Sequence, residues 1–108
     1  MYTSCFARYK ESDGISIAVS PPKWYTGIVY PPLFPSWEIV RDFKKGGDKD
    51  KYIEIYQASV LNKLDPAKVY QDLVGKTLLC WCARGAFCHR RLVADWIREN
   101  IGISVPER

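Results

Sequence analysis

The sequence predicts a single compact α/β domain with a small, largely parallel sheet flanked by helices, and three observations lead to this fold class. The chain of 108 residues has room for one hydrophobic core. Two apolar runs, Ile15 to Val19 and Leu78 to Cys82, have the length of buried strands. Segments with helical spacing of apolar residues lie between and after them, and strands that alternate with helices favour a parallel sheet. We therefore treat residues 1–108 as one domain.

The first part of the chain is predicted to hold two strands and a long loop. Tyr2 to Tyr9 begins with a strand that ends in a polar turn. Pro21-Pro22 ends the second strand, because proline has no backbone N–H to donate to a sheet. Residues 22–35 are rich in proline and aromatic residues and are predicted to be a loop folded over the edge of the sheet.

Capping residues mark two helices in the middle of the chain. Ser36 is the predicted N-cap of a short helix that ends at Gly46-Gly47. Asp48 or Asp50 starts a longer amphipathic helix that continues through Asn62.

Two more helices are predicted in the last part. One begins at Asp65-Pro66, an N-cap followed by proline at the first helical position, and stops at Gly75. The other runs from Cys88 to Gly102 with apolar residues on one face. Ile103 to Val105 is predicted to be either a short final strand or a tail.

Composition narrows the environment and the partners. The first ten residues lack the apolar region of a secretory signal, and no segment has the roughly 20 apolar residues that cross a bilayer, so we expect a cytoplasmic protein without membrane contact. In such a protein the four cysteines are expected to be thiols or ligands rather than disulfides. The net charge of +4 favours an anionic ligand or partner.

The candidate site lies where the last predicted strand meets the last helix. Ligands of parallel sheets bind beyond the carboxyl ends of the strands, which places residues 82–90 at the site. Backbone N–H groups and the dipole of a helix N-terminus favour an anion or a thiolate there. Cys88 is the best candidate for a reactive thiol, and His89 for an acid or base, although both residues could instead cap and pack.

Two familiar cysteine sites do not fit the spacing. In a cysteine phosphatase or sulfurtransferase, an arginine follows the nucleophile after a loop of five residues, but that position holds Cys88 when counted from Cys82 and Ala86 when counted from Cys80. A structural zinc site formed by Cys80, Cys82, Cys88 and His89 is also disfavoured. Residues two apart on a strand lie about 6.5 Å from each other, whereas structural zinc usually takes paired cysteines from a short turn. We predict no metal and no cofactor.

An anion pocket fits better. Cys82, Arg84 and Arg90 would line it together with the loop amides, and Gly85 would allow close approach of the backbone. Trp24 and Tyr25 of the proline-rich loop either stack on the ligand or only pack against the sheet.

The segment LLCWCARGAFCHRRLVADWI resembles domain-of-unknown-function family 488, whose signature is a strand ending in Leu-Leu-Cys, a variable loop, Cys-His-Arg and an amphipathic helix. Cys80 and the triplet Cys88-His89-Arg90 match that signature. The segments YTSCFARY, PPKWY and PSW resemble a compact bacterial and phage branch of the family. The resemblance implies a compact α/β domain, and a neighbouring family with a similar cysteine pattern suggests a pocket for nucleotides or ADP-ribose-like compounds.

These observations lead to one functional hypothesis with two alternatives. The protein is predicted to bind a phosphate-bearing, nucleotide-like small molecule at the junction of residues 82–90, with hydrolase or transferase activity through Cys88 and His89. The first alternative is a protein that sequesters or senses a nucleotide without catalysis. The second is a nucleic-acid-binding module.

Overall fold

A computed structural model of the chain describes residues 1–81 and 88–108, and it confirms the predicted α/β fold. Within these ranges, four strands and four α-helices follow one another. The strands are β1 (Tyr2–Cys5), β2 (Gly14–Ser16), β3 (Ile28–Val29) and β4 (Thr77–Cys80). The helices are α1 (Trp37–Lys44), α2 (Lys49–Ser59), α3 (Pro66–Leu73) and α4 (His89–Ile101).

The four strands form one sheet in the order β1-β4-β2-β3, and each pairing between them is parallel. The inner strands are β4 and β2, with Ile15 opposite Leu78 and Ser16 opposite Leu79. The carboxyl ends of parallel strands meet at one edge of a sheet. The residues that follow Ser16 and Cys80 therefore lie beside each other, at the edge where the sequence places the site.

The proline-rich segment differs from its prediction. The loop predicted over residues 22–35 is wrong in part, because the segment contains β3 and a 3-10 turn over Pro31–Leu33. Ile28 pairs with Ile15, and the Tyr30 N–H donates to the Ser16 carbonyl over 2.9 Å. Proline is tolerated close to such a strand because β3 lies at the edge of the sheet.

The predicted N-caps are confirmed by hydrogen bonds. The Ser36 side chain accepts from the Ile39 N–H at 3.2 Å, and the carboxylates of Asp48 and Asp65 each accept a backbone N–H at 3.0 Å. These bonds satisfy backbone donors that have no partner within the helix.

Several element boundaries lie elsewhere than predicted. The second strand ends at Ser16 instead of Val19, and β4 ends at Cys80 instead of Cys82. Helix α2 ends at Ser59 before a 3-10 turn over Leu61–Lys63. At the other end of the chain, Gly102 ends α4 as predicted, with a left-handed φ of 73° that glycine adopts without strain.

The main core lies between the sheet and the helices. Tyr56 of α2 is fully buried there, and its hydroxyl donates to the Leu33 carbonyl over 2.7 Å. The last residues form a tail along β1 and no strand of their own: Val105 is buried, and the Arg108 N–H donates to the Thr3 carbonyl over 2.6 Å. This tail brings Glu107 to β1, where it forms an isolated bridge with Thr3.

In the described part of the chain, none of the helices has the length and apolar character needed to span a bilayer.

Candidate active site

A cavity of about 350 Å³ opens at the carboxyl edge of the sheet. Its walls come from the segment after β2, from α1 and the residues before it, from α2, and from the junction of β4 with α4. The described residues that line it are Ala18, Val19, Ser20, Pro35, Trp37, Val40, Phe43, Lys44, Tyr52, Cys80, Trp81, Cys88 and His89. The part of the wall that these residues form is thus mainly apolar and aromatic, with few polar and ionisable groups among them.

Two cysteines meet at the inner end of this cavity. The sulfur atoms of Cys80 and Cys88 lie in contact as a disulfide pair, and both residues are buried. The expectation that these two are thiols or ligands is therefore wrong for the state described, because the end of β4 and the start of α4 converge at one point. Cys5 is a free, buried cysteine. Reduction of the pair takes up two electrons and two protons and gives two thiols at the cavity.

His89 follows Cys88 and faces it with one defined ring nitrogen. Its Nε2 lies 2.9 Å from the Ile17 carbonyl, which can only accept, so Nε2 carries the proton. The unprotonated Nδ1 lies 3.6 Å from the Cys88 sulfur. Burial lowers the pKa of His89 to about 4, and the nearby Arg90 charge adds to this effect. His89 is therefore neutral near neutral pH and presents a lone pair to the cysteine.

Arg90 is turned away from the cavity, into the protein. Its side chain is fully buried, and Nε and Nη2 donate to the Glu107 carboxylate at 3.0 and 2.6 Å. The third donor, Nη1, lies 2.8 Å from the Cys80 sulfur. Partial burial acts to raise the pKa of Glu107, but hydrogen bonds from Arg90 and Thr3 outweigh it and hold that pKa below its usual value. Arg90 thus ties the C-terminal tail to the cysteine pair.

Trp24 and Tyr25 lie outside the cavity lining. Both pack around Phe6 in edge-to-face contacts, with ring centroids 6.3 and 5.4 Å from it. Tyr25 also donates its hydroxyl to the Ile28 carbonyl at 2.5 Å, which supports β3. Trp24 stays half exposed, with the Lys10 ammonium 3.6 Å from the ring centroid. The packing interpretation of these two residues fits this placement.

Several residues that sequence reasoning did not assign to the site line the cavity. Trp37, Phe43 and Lys44 come from α1, and Tyr52 comes from α2. One signal could have pointed to them: α1 carries large aromatic residues in a short helix close to the proline-rich segment. The role of Glu107 has no such signal, because its partner lies in another element. The predicted ligand-binding residues Cys82, Arg84 and Gly85 lie outside the described residues.

Fold and site together define a small α/β protein with a ligand-sized cavity that ends at a cysteine pair and a buried neutral histidine. The chain belongs to domain-of-unknown-function family 488: the family model described as the active DUF488-N3 subclade matches residues 5–101. This confirms the predicted membership of the family, whereas the Leu-Leu-Cys and Cys-His-Arg signature and the bacterial and phage branch stay predictions. No curated protein and no solved structure matches the chain.

Proposed function

We propose that this protein binds a phosphate-bearing, nucleotide-like small molecule in the cavity and, when the cysteine pair is reduced, acts on it by hydrolysis or group transfer through Cys88 and His89. One observation carries the proposal: a cavity with aromatic walls ends at a cysteine next to an unprotonated histidine nitrogen. Different parts of this cavity suit the planar base of a nucleotide, its phosphate and the proposed reaction.

The walls suit a planar ring. A volume of about 350 Å³ is in the range of small-molecule sites. Trp37, Phe43 and Tyr52 offer aromatic surface to a base, and stacking on such side chains contributes about 1–3 kcal/mol per base. A ring that enters the cavity displaces water from mostly apolar walls, which favours binding.

Positive potential for a phosphate comes from two places. Lys44 lines the cavity, and α4 begins there with Cys88 as an N-cap whose side chain makes no capping hydrogen bond. The N-terminus of a helix attracts anions through its amides and its dipole. Arg84 stays a candidate phosphate ligand. We assign Arg90 a supporting role instead, because Glu107 and Cys80 occupy the three donor nitrogens described above.

The reaction would use the reduced form of Cys88. The thiol gives its proton to His89 Nδ1 as the sulfur forms a bond to the electrophilic atom of the ligand, and the leaving group departs with that proton. Water then breaks the new sulfur bond and restores the thiol, or an acceptor takes the group. His89 needs no reorientation, since the Ile17 carbonyl fixes its tautomer.

A thermal-shift screen of the reduced protein tests the binding. Nucleotides, cyclic nucleotides and ADP-ribose derivatives are the probes, and a ligand at 100 times its Kd should stabilise the fold by about 2.7 kcal/mol. Trp37→Ala and Lys44→Ala should weaken the shift because both side chains line the cavity. Trp24→Ala and Lys45→Ala are matched controls outside it and should leave the shift intact.

Once such a ligand is found, it can be used to decide whether the protein is an enzyme or only binds the ligand. Turnover lost in Cys88→Ser with binding retained would establish the enzyme, whereas binding without turnover in the wild type would leave a sequestering or sensing protein. If no probe shifts the melting temperature, or if Trp24→Ala and Trp37→Ala behave alike, the cavity is not the ligand site. Steeply salt-dependent binding of generic DNA or RNA would favour the nucleic-acid alternative.

A further inference from the structure

We infer that Cys80, Cys88 and His89 form a site for one thiophilic divalent ion, Zn²⁺ by class, when the cysteine pair is reduced. Binding of the ion follows from the geometry alone. Its consequence, that the ion switches off the reaction by engaging Cys88, rests on the proposed function.

The donor atoms are already gathered. The two sulfurs and a ring nitrogen of His89 all lie within 4.8 Å of one another. Tetrahedral zinc with bonds of about 2.3 Å to sulfur and 2.0 Å to nitrogen sets a sulfur and a nitrogen about 3.5 Å apart. The observed distance from the Cys88 sulfur to His89 Nδ1 is 3.6 Å. That pair therefore needs almost no rearrangement.

The separation of the two cysteine backbones also suits an ion between the sulfurs. The Cα atoms of Cys80 and Cys88 lie 7.6 Å apart. Disulfide-bonded cysteines usually have Cα atoms about 4.4–6.8 Å apart. The objection to a zinc site that includes both Cys80 and Cys82 concerned two neighbours on one strand, and it does not apply to this set of three ligands.

The hydrogen-bond partners of His89 and Cys80 are those expected around metal ligands. A histidine that binds a metal usually donates its other ring N–H to a carbonyl or a carboxylate, and His89 Nε2 does so to Ile17. The Arg90 Nη1 donates to the Cys80 sulfur over 2.8 Å and would steady a metal-bound thiolate. Two thiolates balance the charge of the ion, and Glu107 pairs with Arg90, so these described groups together add no net charge.

The fourth coordination position would face the cavity, because all three ligands line it. Among the described residues three ligands converge, and a set of three protein ligands with one open position is typical of exchangeable or catalytic zinc rather than closed structural zinc. The ion displaces the two thiol protons on binding, and Cys88 then serves as a ligand instead of a nucleophile. Oxidation to the disulfide removes both sulfur ligands, so metal and disulfide are alternative states of the same pair.

Titration of the protein reduced with a phosphine tests the site, with Zn²⁺ and Co²⁺ as the probes and no nucleotide present. We expect one ion per chain and, for Co²⁺, the sulfur-to-metal charge-transfer absorption of two thiolates. Cys88→Ser and His89→Ala each remove a ligand atom and should lower the affinity at least as much as loss of an outer-shell partner does, which is about 10–100-fold. Cys5→Ser removes a cysteine outside the site and should bind as the wild type does.

Absence of the charge-transfer band in the reduced wild type would overturn the inference without reliance on any variant. So would undiminished binding by His89→Ala. Regulation is tested by alkylation of Cys88. Stoichiometric Zn²⁺ should slow this reaction, and addition of a chelator should restore its rate. These measurements need no nucleotide. The metal-site inference can therefore be contradicted independently of nucleotide binding, and nucleotide binding can be contradicted independently of the metal site.

Discussion

Replacing Glu107 with glutamine should lower the free energy of unfolding by about 3 kcal/mol, because the substitution leaves a buried guanidinium without its counter-charge. The Arg90 side chain is completely buried, and the Glu107 carboxylate accepts from two of its nitrogens. Removal of one partner of a buried ion pair strongly lowers the free energy of unfolding, although replacement of both partners by apolar residues often costs little. Urea unfolding of the reduced protein at neutral pH measures the effect.

An exposed ion pair of the same chain is the control. Asp72 binds Lys68 at 2.7 Å on the surface of α3, where water screens the charges, so Asp72→Asn should cost far less than Glu107→Gln. The two substitutions remove the same charge from different surroundings. Equal losses for Glu107→Gln and Asp72→Asn would contradict the view that the tail holds Arg90 in place.

Acid should destabilise the protein through His89, by about 2 kcal/mol between pH 7 and pH 5. Burial lowers the pKa of the folded-state imidazole to about 4, whereas the unfolded chain has the ordinary value of 6.5. Below pH 6.5 the His89 imidazole binds a proton in the unfolded chain but stays neutral in the folded protein. The free energy of unfolding is therefore unaffected by His89 above pH 6.5 and decreases as the pH falls from there toward about 4.

Unfolding free energies of the reduced protein with a chelator, measured across this range, check the prediction. His89→Gln has no titrating ring, so its stability should change much less between pH 7 and pH 5, whatever its absolute value. An equal pH dependence in His89→Gln and the wild type would show that other groups cause the acid effect.

The fold could be predicted largely because local signals agree with it. Ser36, Asp48 and Asp65 begin helices, and their side chains make the expected capping bonds. The short strands were harder to bound, because a strand ends where its partners end. Ser16 is the last paired residue of β2 although the apolar run continues to Val19.

The position of the cavity could be predicted from the sequence, but most of its lining could not. The rule for parallel sheets placed Cys88 and His89 at the carboxyl edge, where the cavity lies, and their action on a ligand stays a prediction. The aromatic walls come from α1 and α2, and no periodicity tells which helix face meets the end of a distant strand. The same holds for Arg90: its charge suggested a ligand contact, but the tail supplies Glu107 as its partner. Contacts between remote residues depend on tertiary packing.

Alkylation of Cys88 tests the central claim most directly, because that residue lies at the inner end of the proposed ligand cavity. The reduced protein is treated with iodoacetamide, and the modification of each cysteine is followed by peptide mass spectrometry, with and without the nucleotide that gives the largest thermal shift. At 100 times Kd only about 1% of the sites are free, so Cys88 should react far more slowly. Cys5 is buried outside the cavity, and its rate shows how far stabilisation of the fold alone slows alkylation. A nucleotide that stabilises the fold but leaves the alkylation rate of Cys88 unchanged would contradict the account.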